Sequence, residues 1–282
     1  MQAAWPWQTG VLDPQGPIGA AERTILLDST TIMLAVIVPV IVLTLAFAWW
    51  FRAGNEKAIH LPDWSYSGRI EVVVWSIPTL IVGFLGGIAW LGSHDLDPRD
   101  PIPSNVPTVN VQVVSMDWKW LFIYPDQHVA SVNRLVVPAG APISFRITSA
   151  TVMNSFFVPQ LGSQIYAMSG MTTELHLLAD RPGTYPGLSS QFSGDGFSDM
   201  RFDTVALDKQ GFEDWVKTTR SGGGKLDAES YAKLAQPSSA VPPSTYGDVA
   251  PRLFETLAMA EPHGPSTADA DLKICVAPRA RN

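Results

Sequence analysis

The chain has 282 residues, a formal net charge of -7, 16% charged residues and a mean hydropathy of +0.11. The acidic balance argues against nucleic acid as a partner, because phosphate binding needs a basic surface. The charged fraction is low for a soluble domain and directs attention to membrane-spanning segments.

Two long apolar runs without a charged residue lie in the first third of the chain, at residues 30–51 and 72–93. Each is long enough to cross a hydrocarbon core of about 30 Å at about 1.5 Å per residue. A buried core helix is the alternative, but both runs are apolar around their whole circumference. The sequence therefore predicts an external segment at residues 1–27 and transmembrane helices at residues 28–51 and 71–93.

The distribution of basic residues predicts the orientation of this hairpin. The loop at residues 52–70 contains Arg52, Lys57 and Arg69, whereas the outer flanks contain Arg23 and Arg99. Basic loops stay in the cytoplasm, so both termini are expected on the periplasmic side of a bacterial inner membrane. Residues 1–22 lack the apolar core of a signal peptide, so the first span is expected to direct its own insertion unless the true start lies upstream.

After a proline-containing linker at residues 94–107, the pattern changes to short alternating runs such as VNVQV at residues 109–113. Runs of this kind, separated by turn residues, predict an antiparallel β-sandwich over residues 108–208. Residues 209–260 are predicted to form a short helical, aromatic-rich region, and residues 261–282 a disordered tail. Cys275 is the only cysteine and cannot form an intrachain disulfide.

Five motifs follow one another along this predicted topology. They are VLDPQGPIG at residues 11–19, EVVVWSIP at 71–78, MDWKWLFIYP at 116–125, ATVMNSFFVPQLGSQIYAMSGM at 150–171 and PGTYPGLSSQFSGDGFSDM at 182–200. Together they resemble subunit II of haem–copper terminal oxidases, and within that family the subunit of bo-type ubiquinol oxidases. The resemblance extends over residues 12–260. It implies a fold of the membrane α plus all-β class, in which a two-helix hairpin precedes a cupredoxin-like sandwich.

Relatives that use cytochrome c hold a dinuclear copper centre in this sandwich, bound chiefly by cysteine and histidine. The residues at the ligand positions here are Asn154, Ser189, Gln191, Ser193 and Phe197, with only Met200 retained. Hydroxyl, amide and phenyl groups do not replace thiolate and imidazole ligands. The resemblance therefore implies that this chain binds no metal or cofactor, that subunit I holds the haems and copper, and that ubiquinol is the substrate of the complex.

Glu71 lies at the cytoplasmic start of the second predicted span. From the residues alone, an interfacial carboxylate favoured by the helix N-terminus is the simpler interpretation. The resemblance implies a further role, because the glutamate of this motif lies at the entrance of a proton channel into subunit I. We therefore expect Glu71 to act in proton uptake together with that subunit.

The predicted function is that of subunit II in a proton-pumping ubiquinol oxidase, which couples quinol oxidation to the reduction of O2 to water. The chain would support assembly and proton uptake as a non-catalytic subunit. Expected partners are subunit I, subunits III and IV and membrane lipid, but not cytochrome c. Two alternatives remain: a copper-binding electron-relay subunit of a cytochrome c oxidase, and a stand-alone membrane-anchored cupredoxin-like binding module.

Overall fold

The computed structural model describes residues 10–59, 61 and 63–259. The described chain forms two compact units: residues 21–97 make one, and residues 10–20 together with residues 98–259 make the other. The predicted disordered tail at residues 261–282, with Cys275, lies outside the described residues.

The first unit contains two long helices, α1 at Pro17–Trp50 and α2 at Gly68–Asp95. Both are long and apolar enough to cross a membrane, and the most apolar stretch of each has no buried residue. α1 begins well before residue 28, because proline is favoured in the first turn of a helix and the residues after it are compatible with helix. At about 1.5 Å per residue, α1 is longer than a hydrocarbon core is thick, so only part of it is needed to span one.

The second unit is built around twelve strands in two sheets. Their bounds are β1 Val109–Met116, β2 Lys119–Tyr124, β3 Val129–Val132, β4 Arg134–Pro138, β5 Pro142–Ser149, β6 Asn154–Phe157, β7 Ile165–Ala167, β8 Thr173–Leu178, β9 Gly183–Ser189, β10 Arg201–Leu207, β11 Gly224–Leu226 and β12 Ser244–Val249. The seven-stranded sheet has the order β11-β12-β3-β2-β1-β5-β8, and the five-stranded sheet the order β4-β10-β9-β6-β7. The predicted membrane α plus cupredoxin-like sandwich is therefore confirmed. The sheets are mixed rather than antiparallel throughout, because β1 pairs with β5, and β10 with β4, in parallel.

Aromatic side chains fill the space between the two sheets. Trp120, Phe122, Phe145 and Phe156 are fully buried there. Phe156 stacks on Phe202 with a centroid separation of 5.2 Å and an interplanar angle of 12°. Large rings of this kind bury about 150–250 Å² each and dominate the stability of a core. This core fixes β6 and β9, which present Asn154 and Ser189, and β10, which follows the loop that carries the other predicted metal positions.

The C-terminal region contains strands as well as the helices that the sequence predicts. α3 at Lys209–Gly222 packs on the core, but β11 and β12, which the sequence did not predict, extend the seven-stranded sheet beyond β3. The short helices α4 at Ala228–Leu234 and α5 at Leu253–Ala258 then lie over the outer face of that sheet. A second apolar cluster forms on this face, and the sheet is buried on both sides. Its buried members are Val114, Met116, Leu121, Ile123, Ala130, Val132, Leu226 and Phe254.

The segment before α1 is hydrogen-bonded to the sandwich. The Gln15 amide donates to the Gln160 carbonyl at 2.7 Å, and the Asp180 amide donates to the Gln15 carbonyl at 2.8 Å. Gly16 is buried beside them, and a Cβ atom added there would lie 2.1 Å from the Leu178 carbonyl oxygen. Residues 10–19 thus contact a domain that follows α2 in the chain. If the chain between this segment and that domain crosses a membrane, it must do so an even number of times.

We expect Gly16→Ala to destabilise the second unit by about 1–3 kcal/mol, because the added methyl group has no space and the segment must move. Thermal unfolding of the detergent-solubilised chain measures the loss. Gly54→Ala is the matched control, since no atom lies within 4 Å of its added Cβ. Equal unfolding temperatures for the two variants would contradict this account of the segment.

Candidate functional site

The predicted metal positions lie on two neighbouring strands and on the loop after them. β6 begins at Asn154, β9 ends at Ser189, and the chain returns into β10 through a 3-10 turn at Phe197–Asp199. Backbone hydrogen bonds close the loop: the Ser189 amide donates to the Met200 carbonyl at 3.1 Å, and the Met200 amide to the Phe197 carbonyl at 3.1 Å. The loop is therefore held by its own backbone.

Asn154 and Ser189 contact each other directly in the buried part of this site. The Ser189 hydroxyl donates to Asn154 Oδ1 at 3.1 Å and lies 3.2 Å from the Gln191 carbonyl oxygen. Asn154 Nδ2 donates to the Ser115 hydroxyl at 3.3 Å and to the Val152 carbonyl at 3.2 Å. Both side chains are almost completely buried, and each has its hydrogen-bonding capacity used by protein groups.

The remaining predicted positions lie at the outer part of the loop. The Ser193 hydroxyl points at Met200 Sδ, 3.9 Å away, and Met200 is 1% exposed. Phe197 is half-buried and packs edge-on against the exposed ring of Phe192 at 5.6 Å. Gln191 is half-buried, and its backbone carbonyl is the group that faces Ser189.

The structure thus brings the six positions into one site, but their chemistry does not fit a dinuclear copper centre. The donors present are an amide, two hydroxyls, a thioether and a second amide, and Phe197 offers no lone pair. Serine hydroxyls do not act as thiolates in a protein, and bridging copper requires thiolates. Among the described residues, no group of three or more His, Cys, Asp or Glu side chains is arranged to hold a metal ion.

Trp118 covers the loop from the other sheet. Its backbone has a φ of 63°, a left-handed conformation that is uncommon for a bulky residue, and its indole Nε1 donates to the Ser193 carbonyl at 3.1 Å. Gly196 lies directly beneath the ring, since a Cβ there would be 2.4 Å from it. Trp118 is therefore a packing residue of the loop, whereas Trp120 lies wholly inside the core.

Lys119, which follows Trp118 in the chain, is a further buried polar residue that no sequence motif indicated. Its side chain points to the face of β2 opposite the inward-facing Trp120. Lys119 is nevertheless 1% exposed, because the C-terminal region covers that face. Its Nζ donates to the Gln236 carbonyl at 2.8 Å, to the Asp117 carbonyl at 3.3 Å and to the Ser238 hydroxyl. Lys119 therefore fastens residues 236–238 to the end of the sandwich. Burial lowers the pKa of its amine, and the Asp117 carboxylate opposes that shift.

Glu71 lies in the other compact unit, in the first turn of α2. Its backbone amide donates to the Ser67 carbonyl at 3.0 Å, and its side chain is exposed. The N-terminal amides of α2 receive no side-chain cap from Ser67, so this helix end is a favourable place for a carboxylate. Arg69 and Glu71 form no ion pair with each other.

Comparison with known proteins identifies relatives over most of the chain. Residues 126–206 match the family model of the periplasmic domain of cytochrome c oxidase subunit II, and residues 220–259 match the aromatic-rich motif of the same oxidases. Cytochrome bo(3) ubiquinol oxidase subunit 2 of Pseudomonas aeruginosa is 49% identical over 255 residues, which cover 90% of this chain and 77% of the relative. Ubiquinol oxidase subunit 2 of Acetobacter aceti is 49% identical over 249 residues, which cover 88% and 81%.

A structural comparison finds the periplasmic domain of subunit II of cytochrome oxidase from Bradyrhizobium japonicum. The match has a TM-score of 0.39 and 24% sequence identity, and it covers 42% of this chain and 96% of that domain.

We expect Lys119→Met to destabilise the sandwich by about 1–3 kcal/mol, because buried carbonyl groups lose their donor. The effect should also depend on pH. The pKa of Lys119 is lowered from 10.5 in the folded chain, so the folded state binds fewer protons than the unfolded state between the lowered value and 10.5. The stability contributed by Lys119 therefore rises with pH across that window and is constant below it.

Chemical denaturation of the wild type and of Lys119→Met over a series of alkaline pH values measures both effects. Lys225→Met is the matched control, because Lys225 is an exposed lysine that pairs with Asp248 at 3.5 Å. A free-energy difference that is the same for both variants, or that falls with pH, would show that the amine has no special role.

Proposed function

The chain belongs to the subunit II family of haem–copper ubiquinol oxidases, and on that premise we propose that it is a non-catalytic subunit of such an enzyme. In this proposal the complex oxidises ubiquinol, reduces O2 to water and pumps protons. The haems and copper that carry out the redox chemistry are bound by subunit I. This chain supports assembly and proton uptake and holds no redox centre of its own.

One observation carries the proposal: the positions that hold copper ligands in cytochrome c oxidases form a closed polar contact here. Asn154 and Ser189 are buried against each other at 3.1 Å, so both side chains are already engaged by protein groups, and neither is a thiolate or an imidazole. A soluble electron donor outside the membrane needs a relay in the external domain. Quinol is dissolved in the bilayer and can donate electrons to subunit I directly, so the relay is dispensable.

We further propose that the chain lies in a bacterial inner membrane with both termini in the periplasm and residues 52–70 in the cytoplasm. Three basic residues in that loop support this orientation. The contact between residues 10–19 and the sandwich supports a common side for the two. Subunit I is the main partner in this proposal, and subunits III and IV and membrane lipid cover further helix surface. The exposed apolar side chains of α1 and α2 support contacts of this kind.

Glu71 is proposed to take up protons from the cytoplasm at the entrance of a channel into subunit I. Its exposure at the start of α2 and the missing ion pair with Arg69 leave the carboxylate available to a neighbouring subunit. Ionisable groups within membrane spans are costly and often functional, and the cost is smaller at the end of a span, where Glu71 lies.

We expect the chain, expressed without subunit I, to contain no stoichiometric copper after incubation with copper salts. The assembled oxidase should oxidise ubiquinol and leave reduced cytochrome c unchanged. Metal analysis and parallel oxygen-consumption assays with the two donors test these expectations. Met200→Leu is the control, because it removes the one retained ligand type and should alter neither result. Copper bound to this chain, or respiration driven by cytochrome c, would exclude the proposal.

For Glu71→Gln in the assembled enzyme, we expect quinol-driven oxygen consumption to fall roughly threefold to tenfold, which corresponds to about 0.7–1.4 kcal/mol of barrier. The deficit should shrink as the cytoplasmic pH falls, because a higher proton concentration compensates for a lost proton donor. A purely structural defect would not respond to pH in this way. Asp63→Asn is the matched control, because it neutralises an exposed carboxylate in the loop that precedes α2. Wild-type turnover of Glu71→Gln at every pH would rule out the role.

A further inference from the structure

A groove of about 450 Å³ lies between α3 and one end of the sandwich, away from the loop that follows β9. Its floor is apolar and its rim is formed by long charged side chains of α3. The apolar residues that line the groove are Val106, Pro107, Val109, Pro138, Ala139, Ala141, Phe212 and Val216. Phe212 and Val216 are 7% and 8% exposed, whereas Val106 at the mouth is 47% exposed. The floor of the groove is therefore buried, and its mouth is open.

The rim is basic, although the chain as a whole is acidic. Lys209, Lys217 and Arg220 line it together with one acid, Glu213, in a chain whose net charge is -7. Lys217 is held only by an exposed contact with Asp214 at 3.4 Å, which contributes little in water. A positive surface on an acidic protein is complementary to an anionic ligand.

The spacing of these cations distinguishes between kinds of anionic ligand. At about 1.5 Å per residue, Lys209 and Lys217 lie roughly 12 Å apart along α3, and Arg220 lies about 4.5 Å further on. One phosphate or carboxylate headgroup cannot contact both ends of such a row. An extended peptide, which rises about 3.3 Å per residue, can place successive carboxylates along it.

Gln127 lies in the same groove and holds one of its cations in place. It lines the groove, and its buried side-chain oxygen accepts no hydrogen bond from a described residue. Its backbone carbonyl accepts from Arg220 Nη2 at 2.6 Å, so the guanidinium is held at the rim.

We propose that this groove receives an extended segment of another subunit of the same oxidase, in which apolar side chains alternate with carboxylates. The apolar side chains pack on Phe212 and Val216, and the carboxylates pair with Lys209, Lys217 and Arg220. This inference rests on the proposed function, because it requires that the chain be assembled with other subunits. It adds which face of the sandwich is used and the chemistry of the partner segment.

Cysteine labelling in a Cys275→Ser background tests whether the groove is covered. Val106→Cys places a thiol at its mouth, and Ala232→Cys places one on the exposed side of α4 as a control. We expect a maleimide to label both positions in the chain expressed alone. In the assembled, active oxidase it should label Ala232→Cys as before and Val106→Cys at least tenfold more slowly. Equal labelling of Val106→Cys in both preparations overturns the proposal.

Carbodiimide coupling of the assembled oxidase then identifies the occupant, since it joins a lysine amine to a carboxylate with loss of water. Coupling of Lys209 or Lys217 to Asp or Glu of another subunit supports the proposal. Protection of Val106→Cys without such a coupled peptide, or coupling to residues 260–282 of this chain, overturns it. Removal of phospholipid that restores labelling also overturns it.

Charge removal provides a second measurement. We expect Lys209→Gln with Lys217→Gln to weaken co-purification with the other subunits at raised ionic strength by at least threefold. The matched pair is Lys225→Gln with Lys233→Gln, which removes two exposed lysines that form ion pairs elsewhere. Identical retention for the two pairs counts against the groove. Quinol oxidase activity is measured on every sample, so an active enzyme with an uncovered groove refutes this inference and leaves the proposed function standing.

Discussion

A buried hydrogen bond between Asn154 and Ser189 joins β6 to β9 at the positions where relatives hold copper ligands. A metal centre would tie β6, β9 and the following loop together through its ligands. Here each neutral hydrogen bond contributes only about 0.5–1.5 kcal/mol, but an unpaired amide or hydroxyl at the same depth would cost about 1–3 kcal/mol. The pairing keeps these polar groups satisfied, and the backbone turn at Phe197–Asp199 keeps the loop folded.

The C-terminal region turns a two-layer sandwich into a three-layer domain. β12 pairs with β3, which would otherwise be the edge of the seven-stranded sheet, and an unpaired edge is open to aggregation. α5 places Phe254 over the outer face of the same sheet. Lys119 fastens the chain between these elements to the sandwich. The region is thus part of the structural core of the domain.

The two compact units have surfaces that call for different surroundings. α1 and α2 expose Leu, Val, Ile, Phe and Trp side chains along their length, which is favourable in lipid or against other apolar helices and unfavourable in water. The sandwich is closed by its own core, and the groove along α3 has a basic rim although the net charge of the chain is -7. Both proposals for contact with neighbouring subunits follow this division: Glu71 belongs to the unit with the apolar helices, and the groove belongs to the sandwich.

The sequence by itself determined the hairpin, the sandwich and the lack of copper ligands, because uncharged length, alternation and residue chemistry are local properties. Family resemblance supplied the role proposed for Glu71, which no local pattern could give. Only the tertiary structure decided that Lys119 is buried, that Gly16 is held on the sandwich and that β11 exists. β11 has three residues, too few to show a period, and it forms because β12 lies beside it. Lys119 looks solvent-facing until a segment more than a hundred residues away covers it. Long-range pairing of this kind leaves no signature in a short window of sequence.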